Sequence, residues 1–161
     1  MKKIISTLVV TFTFLNPAFA MANTFSASDA VVLLEAEKKL EKLRQEILQP
    51  INQAPMDERV TYWMLHSVTV GLLERCDSVA TQVAIAAGME QKSDDDKVKK
   101  YLRSITFPSA LNIFDDSRGV LLMIVNDSRI GPKPKEKARQ IIDILDGTLN
   151  PKLKAMSNAI K

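Results

Sequence analysis

The sequence predicts an all-α fold: a compact antiparallel bundle of four to five helices that follows a cleaved signal peptide. Three observations lead there. Apolar residues recur at steps of three and four through most of the chain, which is the period of a helix buried on one side. Five glycines and seven prolines among 161 residues leave little for a turn-rich β-sandwich. The apolar fraction of 46% and the charged fraction of 25% suit one folded domain rather than a disordered chain.

The first twenty-two residues read as an address. Lys2 and Lys3 give a positive start, Ile4 to Leu15 is an apolar run, and Ala18-Phe19-Ala20 is a small-x-small cleavage pattern. Ala20-Met21-Ala22 offers a second one, so the cut falls before Met21 or before Asn23. The run Ile4 to Leu15, interrupted only by Ser and Thr, is twelve residues long, short for a membrane span, and no Cys follows either cut to carry a lipid anchor. The mature region, 23–161, is then expected in a periplasm or outside the cell, with no spanning segment. Counted without Lys2 and Lys3, the 22 basic residues become 20 against 19 acidic ones, a net of +1. That balance gives no reason to expect nucleic acid as a partner.

The first helix is expected from about Ser28 to Leu48. Ser26 or Ser28 can cap it, Asp29 sits in its first turn, and Leu33, Ala36, Leu40, Leu43 and Ile47 form its stripe. Pro50 is expected to stop it, and Gln49 to Met56 to form the connection. The chain is organised around the next run, 57–89, with Asp57 as its natural cap. Leu65, Val68, Leu72, Cys76, Val79, Val83 and Ala86 lie on one side of it, and Ser67, Glu74, Arg75, Ser78 and Gln82 on the other. Gly71 interrupts it, marking either a close helix approach or a bend.

A turn at Gly88 and the polar run Glu90 to Asp96 follows. A short helix over about 94–105, capped by Ser93, would present Val98, Leu102 and Ile105 inward. The triple Asp94-Asp95-Asp96 reads as a helix-stabilising first turn, because calcium loops alternate their acids around a turn glycine. Phe107-Pro108 breaks the chain in this reading, and Ala110, Ile113, Phe114, Ser117, Leu121 and Ile124 stripe the next helix. The unbroken apolar run Val120 to Val125 would also suit a strand, but the upstream period favours helix. Beyond the loop Asp127 to Pro134, Ala138, Ile141, Ile142, Leu145, Leu149, Leu153, Met156 and Ile160 stay in phase across Gly147 and Pro151. Asn150-Pro151 looks like a cap and first residue, favouring two helices over one kinked one.

Chemistry is sparse. Cys76 stands alone, so no internal disulfide forms, and its place on the stripe reads as a core residue. His66 is the single histidine, ten residues from Cys76 on the same helix. That is about 15 Å along the axis and roughly 80° in rotation, too far to share a metal. No Gly-x-Ser-x-Gly elbow, His-x-x-x-His or Cys-x-x-Cys occurs. The mature methionines are scattered and read as core fillers. No catalytic residue, metal or cofactor is assigned.

Two features point to a partner. Trp63, His66 and Val70 lie within about 60° of one another and off the main stripe, with Tyr62 between them and it. Either another helix covers them or they form an exposed aromatic anchor. Arg129, Lys133, Lys135, Lys137 and Arg139 gather at the start of a helix, where the macrodipole disfavours cations. The expectation is an exported, non-enzymatic helical protein that binds another envelope or secreted protein, of the inhibitor, immunity, adaptor or chaperone type. Two other readings stay open: a small-ligand or haem carrier with its pocket between helices, and an enzyme whose acids come from different helices.

Overall fold

The computed structural model of the chain describes residues 25–89 and 95–160. Every element among them is helical. The signal peptide and the expected cap at Ser93 lie outside the described residues. Six α-helices run Ala27–Ile51 (α1), Met56–Met89 (α2), Asp95–Tyr101 (α3), Phe107–Asn126 (α4), Pro132–Ile144 (α5) and Asn150–Ala159 (α6). Two π-turns, Leu102–Thr106 and Leu145–Leu149, join α3 to α4 and α5 to α6 without a break. Among the described residues the chain therefore makes four rods.

Cross-links between distant residues give the directions. Glu46 and Asp29, seventeen positions apart in descending order on α1, bind Lys137 of α5 and Lys152 of α6, so α1 opposes the α5–α6 rod. Thr106 Oγ1 donates to Gln82 Oε1 at 2.7 Å, while the start of α2 meets the end of α4, so those rods oppose each other too. Arg118 Nε donates to both carboxylate oxygens of Asp146 at 2.9 and 2.8 Å, tying α4 to the rod that returns beside it. A single core runs between them. Leu33, Ala36, Leu40, Leu43 and Ile47 of α1, and Leu65, Leu72, Cys76, Val79, Val83 and Ala86 of α2, are buried as their spacing predicts. Ala110, Phe114, Leu121 and Ile124, then Ala138, Ile141, Leu145, Leu149, Leu153, Met156 and Ile160, complete it. Each large aliphatic or aromatic side chain so buried contributes about 1.5–3 kcal/mol. Val120 to Val125 is helix.

Ser26 caps α1, its backbone N–H donating to Asp29 Oδ2 at 2.7 Å. Pro50 does not stop α1. It sits inside the last turn, and its carbonyl accepts Gln53 and Ala54 at 3.0 and 2.7 Å, closing the connection. Asp57 lies one residue inside α2 rather than at its cap, because the helix already starts at Met56. Gly71 does not interrupt α2, which runs unbroken from Met56 to Met89, and it admits no close neighbour: a β-carbon there would meet nothing within 4 Å.

Neither Phe107-Pro108 nor Asn150-Pro151 breaks its rod. A proline inside an α-helix lacks the N–H that bonds four residues back, and its ring collides with that carbonyl. Here the residue before each proline bonds five back instead: Phe107 N–H to the Leu102 carbonyl, Asn150 N–H to the Leu145 carbonyl. The wider turn makes room for the ring. It also resets the phase. Leu102, Thr106, Ala110 and Phe114 are buried, as are Ile141, Leu145, Leu149 and Leu153. Three successive four-residue steps would drift roughly 120° on an α-helix. One wide turn takes up that drift and keeps both runs facing the core. For the same reason Ile105, expected inward, is 53% exposed, and Thr106 is buried in its place.

Candidate functional site

The first half of α2 has two unlike sides. Thr61, Tyr62, Leu65 and Thr69 are buried, and the Thr69 hydroxyl donates to the Leu65 carbonyl at 2.6 Å. Tyr62 is only 4% exposed and belongs to the core, not to the surface with Trp63. It lies eighteen residues from Ala80, five full turns of an α-helix, and both are buried, so the inward face of α2 is wider than the stripe read from sequence.

On the outer side no helix among the described residues covers the tryptophan. Met56, Val60, Trp63 and Met64 are 74%, 55%, 52% and 42% exposed. Their spacing of four, three and one places them in one strip along α2. The Trp63 ring meets His66 edge to face, centroids 5.7 Å apart at 87°. That contact fixes the indole against the helix surface. His66 and Val70 are half-buried at the margin of the strip, and His66 Nε2 is enclosed without a hydrogen-bond partner among the described residues.

Beside the strip, the first turns of α2 face the end of α4 and the loop after it. They enclose an open groove of about 420 Å³ lined by Asp57, Glu58, Thr61, Met64, Met123, Ile124, Asp127, Arg129 and Ile130. Met123 stands on its rim, 71% exposed, the most exposed large apolar side chain of α4. Gly131 lies against Glu58, one of the lining residues. Its φ of −65° suits any residue, but an added β-carbon would lie 2.8 Å from Glu58 Oε1, so the missing side chain leaves room for the carboxylate.

The five basic candidates do not form one surface. Arg129 folds back on Asp127, Nε to Oδ1 2.9 Å and Nη2 to Oδ2 2.7 Å, with its backbone N–H on Oδ1 as well. These bonds, more than the nearby charge of Lys135, pull the Asp127 carboxyl down to about 2. Lys137 is engaged in the seam between α5 and α1, its Nζ 2.5 Å from Glu46 Oε2. Lys133 and Arg139 are exposed. Along α5, alternate positions point roughly 200° apart, which disperses a cluster that looked dense in sequence.

Of the residues singled out in the sequence, Arg129 lines the groove, whereas Tyr62, Trp63, His66 and Val70 do not; Met64, which does, is the neighbour of Trp63 in sequence. The reading of the methionines as core fillers does not hold for Met56, Met64 and Met123, which are exposed, and Val60 drew no reading from the sequence. The available signal was that each is a large apolar residue left outside the core stripe of its helix. Among the described residues, no group of three or more His, Cys, Asp or Glu side chains is placed to hold a metal ion, and no helix is long and apolar enough to cross a membrane. No protein-family model, no curated protein and no solved structure matches this chain.

Proposed function

We propose that the chain is an exported, non-enzymatic helical protein that binds another protein of the envelope or the extracellular space, in the manner of an inhibitor, immunity protein, adaptor or chaperone. One observation carries this reading: Met56, Val60, Trp63 and Met64 form an exposed apolar strip that the helices among the described residues leave uncovered. Single exposed apolar residues are ordinary, but four in one helical strip, with Met123 across the groove, resemble the aromatic and methionine anchors of protein interfaces. Export is supported by the positive start, apolar run and small-x-small triplets before residue 23.

The test is a photo-crosslinking amino acid placed at Val60 in the full chain in its own cells, with Lys154 on α6 as the control position. A discrete protein adduct at position 60, absent at 154, is the expected result. No adduct at position 60 overturns the binding reading. Fractionation tests export separately: the isolated protein should begin at Met21 or Asn23, and full-length precursor held in the cytosol overturns that part alone.

A further inference from the structure

The groove beside the strip has a charge character that the strip lacks. It is lined by three carboxylates, Asp57, Glu58 and Asp127, against one guanidinium, Arg129. That guanidinium is already committed to Asp127 through both Nε and Nη2. Asp57 and Glu58 are left facing the cavity. The helix ends do not reverse this balance. The start of α2 brings a partial positive charge, and the end of α4 brings a partial negative one of similar size. No basic residue stands in the last turn of α4 to offset it, and Asp127 follows directly as its cap. Lys135 is close enough to act on Asp127, but it is not among the groove's lining residues.

The apolar part of the lining is Met64, Met123, Ile124 and Ile130, with Met64 and Met123 exposed at the rim. Methionines are unbranched, flexible and polarizable and adapt to irregular apolar shapes, so they suit a side chain inserted from outside. An apolar floor with uncompensated carboxylates at its mouth is complementary to a side-chain pair of one kind: an aliphatic or aromatic residue near a lysine or arginine.

We infer that the groove between the start of α2 and the end of α4 is the docking site for a segment of the partner protein that carries an apolar side chain beside a lysine or arginine. The apolar side chain enters between Met64 and Met123. The cation meets Asp57 and Glu58 at the mouth. This inference rests on the protein-binding reading above and assigns that reading a place and a partner chemistry.

Three labelled peptides of about 14 residues test it, sharing one helical pattern of leucines and carrying Lys, Gln or Glu at the remaining positions. Each is titrated against the full chain by fluorescence anisotropy at low and raised ionic strength. The Lys peptide should bind tightest, roughly fivefold or more over the Gln peptide, with the advantage shrinking as salt rises. The double variant Asp57→Asn, Glu58→Gln should remove that advantage and leave Gln-peptide binding unchanged. Met123→Ser, at an exposed position, should weaken all three, and circular dichroism should show both variants folded. Equal binding of the three peptides, or a Lys advantage that survives the double variant, overturns the inference. So does failure of the Lys peptide alongside binding of the chain to phosphatidylglycerol vesicles, which would make the strip a lipid-facing surface. If the Val60 crosslink persists in both groove variants while no peptide binds, the groove assignment falls and the protein-binding reading stands. If neither peptide nor crosslink appears, both fall.

Discussion

Lys152 of α6 reaches back to Asp29 in the first turn of α1, Nζ to Oδ1 2.5 Å, joining residues 123 positions apart. The contact is partly buried, with 25% and 18% of the two side chains exposed. It closes the last rod onto the first, at the end of the bundle away from the groove. Asp29 does two things there, since its other oxygen accepts the Ser26 backbone N–H at 2.7 Å. Replacing it should separate them. Asp29→Asn keeps an acceptor for Ser26 and loses the ion pair. Asp29→Ala loses both, leaves α1 without half its cap, and should cost about 1–2 kcal/mol, more than the Asn variant. Urea denaturation of the two variants gives the order. Equal losses would mean that the cap contributes nothing.

The same residue sets a pH dependence. Burial pushes the Asp29 carboxyl up, but the hydrogen bond from Lys152, that from the Ser26 backbone and the charge of Lys152 together outweigh it, so it sits below its ordinary value. Glu46, bound by Lys137, is lowered too, and Asp127 is held at about 2 by Arg129. A carboxyl whose folded value is depressed contributes stability that is present above its unfolded value and is lost as pH falls through the folded one. Stability should therefore hold down to about pH 4 and decline below it. In Asp29→Asn that decline should be shallower, as read from melting temperatures between pH 6 and 2.

Much of this fold is legible in the chain. The stripes of α1, α2, α4 and the C-terminal rod name buried residues almost one for one. The junctions are not legible, because a rule for prolines in α-helices predicts breaks at Pro108 and Pro151. The spacing itself argues against a break: Ile141, Leu145, Leu149 and Leu153 take three steps of four, a drift of roughly 120° that a locally wider turn removes. Trp63 shows the limit of helical phase. Its angle says that it lies off the stripe, but whether another helix covers it depends on how four rods pack. The basic residues are dispersed for a different reason. Adjacency in sequence is not adjacency on a helix, and Glu46, the partner of Lys137, is ninety-one positions away.

The π-turn over Leu145–Leu149 gives a prediction that separates its length from its composition. Gly147 is exposed and has open space where a side chain would go. Gly147→Ala should be tolerated, with a gain of up to about 1 kcal/mol from reduced freedom of the unfolded chain. Deleting Gly147 closes the wide turn to an ordinary α-turn. Ile141, Leu145, Leu149 and Leu153 would then step by four, three and four along the shortened chain, so the stripe keeps facing the core. Pro151 loses the room that the wide turn gave it, and its ring meets the carbonyl four residues back, a cost of about 3 kcal/mol. The deletion should keep its helical signal with a lower denaturation midpoint, and adding Pro151→Ala should restore much of the loss. A deletion variant as stable as the parent would show that the wide turn is not what accommodates Pro151.

Cys76 offers a readout of the core. Burial first, and then the negative charges of Glu37 and Asp77, push its thiol up to about 12. At neutral pH almost no thiolate forms, and the thiolate is the reactive species. Alkylation of the native protein should be slower than that of a free thiol by about a thousandfold or more, and should rise only as the bundle opens. Its rate in increasing urea should track unfolding followed by circular dichroism. Fast alkylation with the helices intact would place Cys76 at a surface, against its 1% exposure.

Trp63 and Phe114 should behave as opposites under truncation. Phe114 is fully buried in the core, and Phe114→Ala leaves a cavity costing about 3–5 kcal/mol. Trp63 is half in solvent and touches His66 edge to face, so Trp63→Ala loses partial burial and one ring contact, about 1 kcal/mol or less. The indole of the unaltered protein should emit at long wavelength and be readily quenched by acrylamide. Both measurements bear on the proposed interface. A large aromatic side chain that contributes little to folding yet remains half-exposed beside a methionine-rimmed groove is available for a partner to bury. If Trp63→Ala destabilises the chain as much as Phe114→Ala does, the outer side of α2 is part of the core, and the strip is not a binding surface.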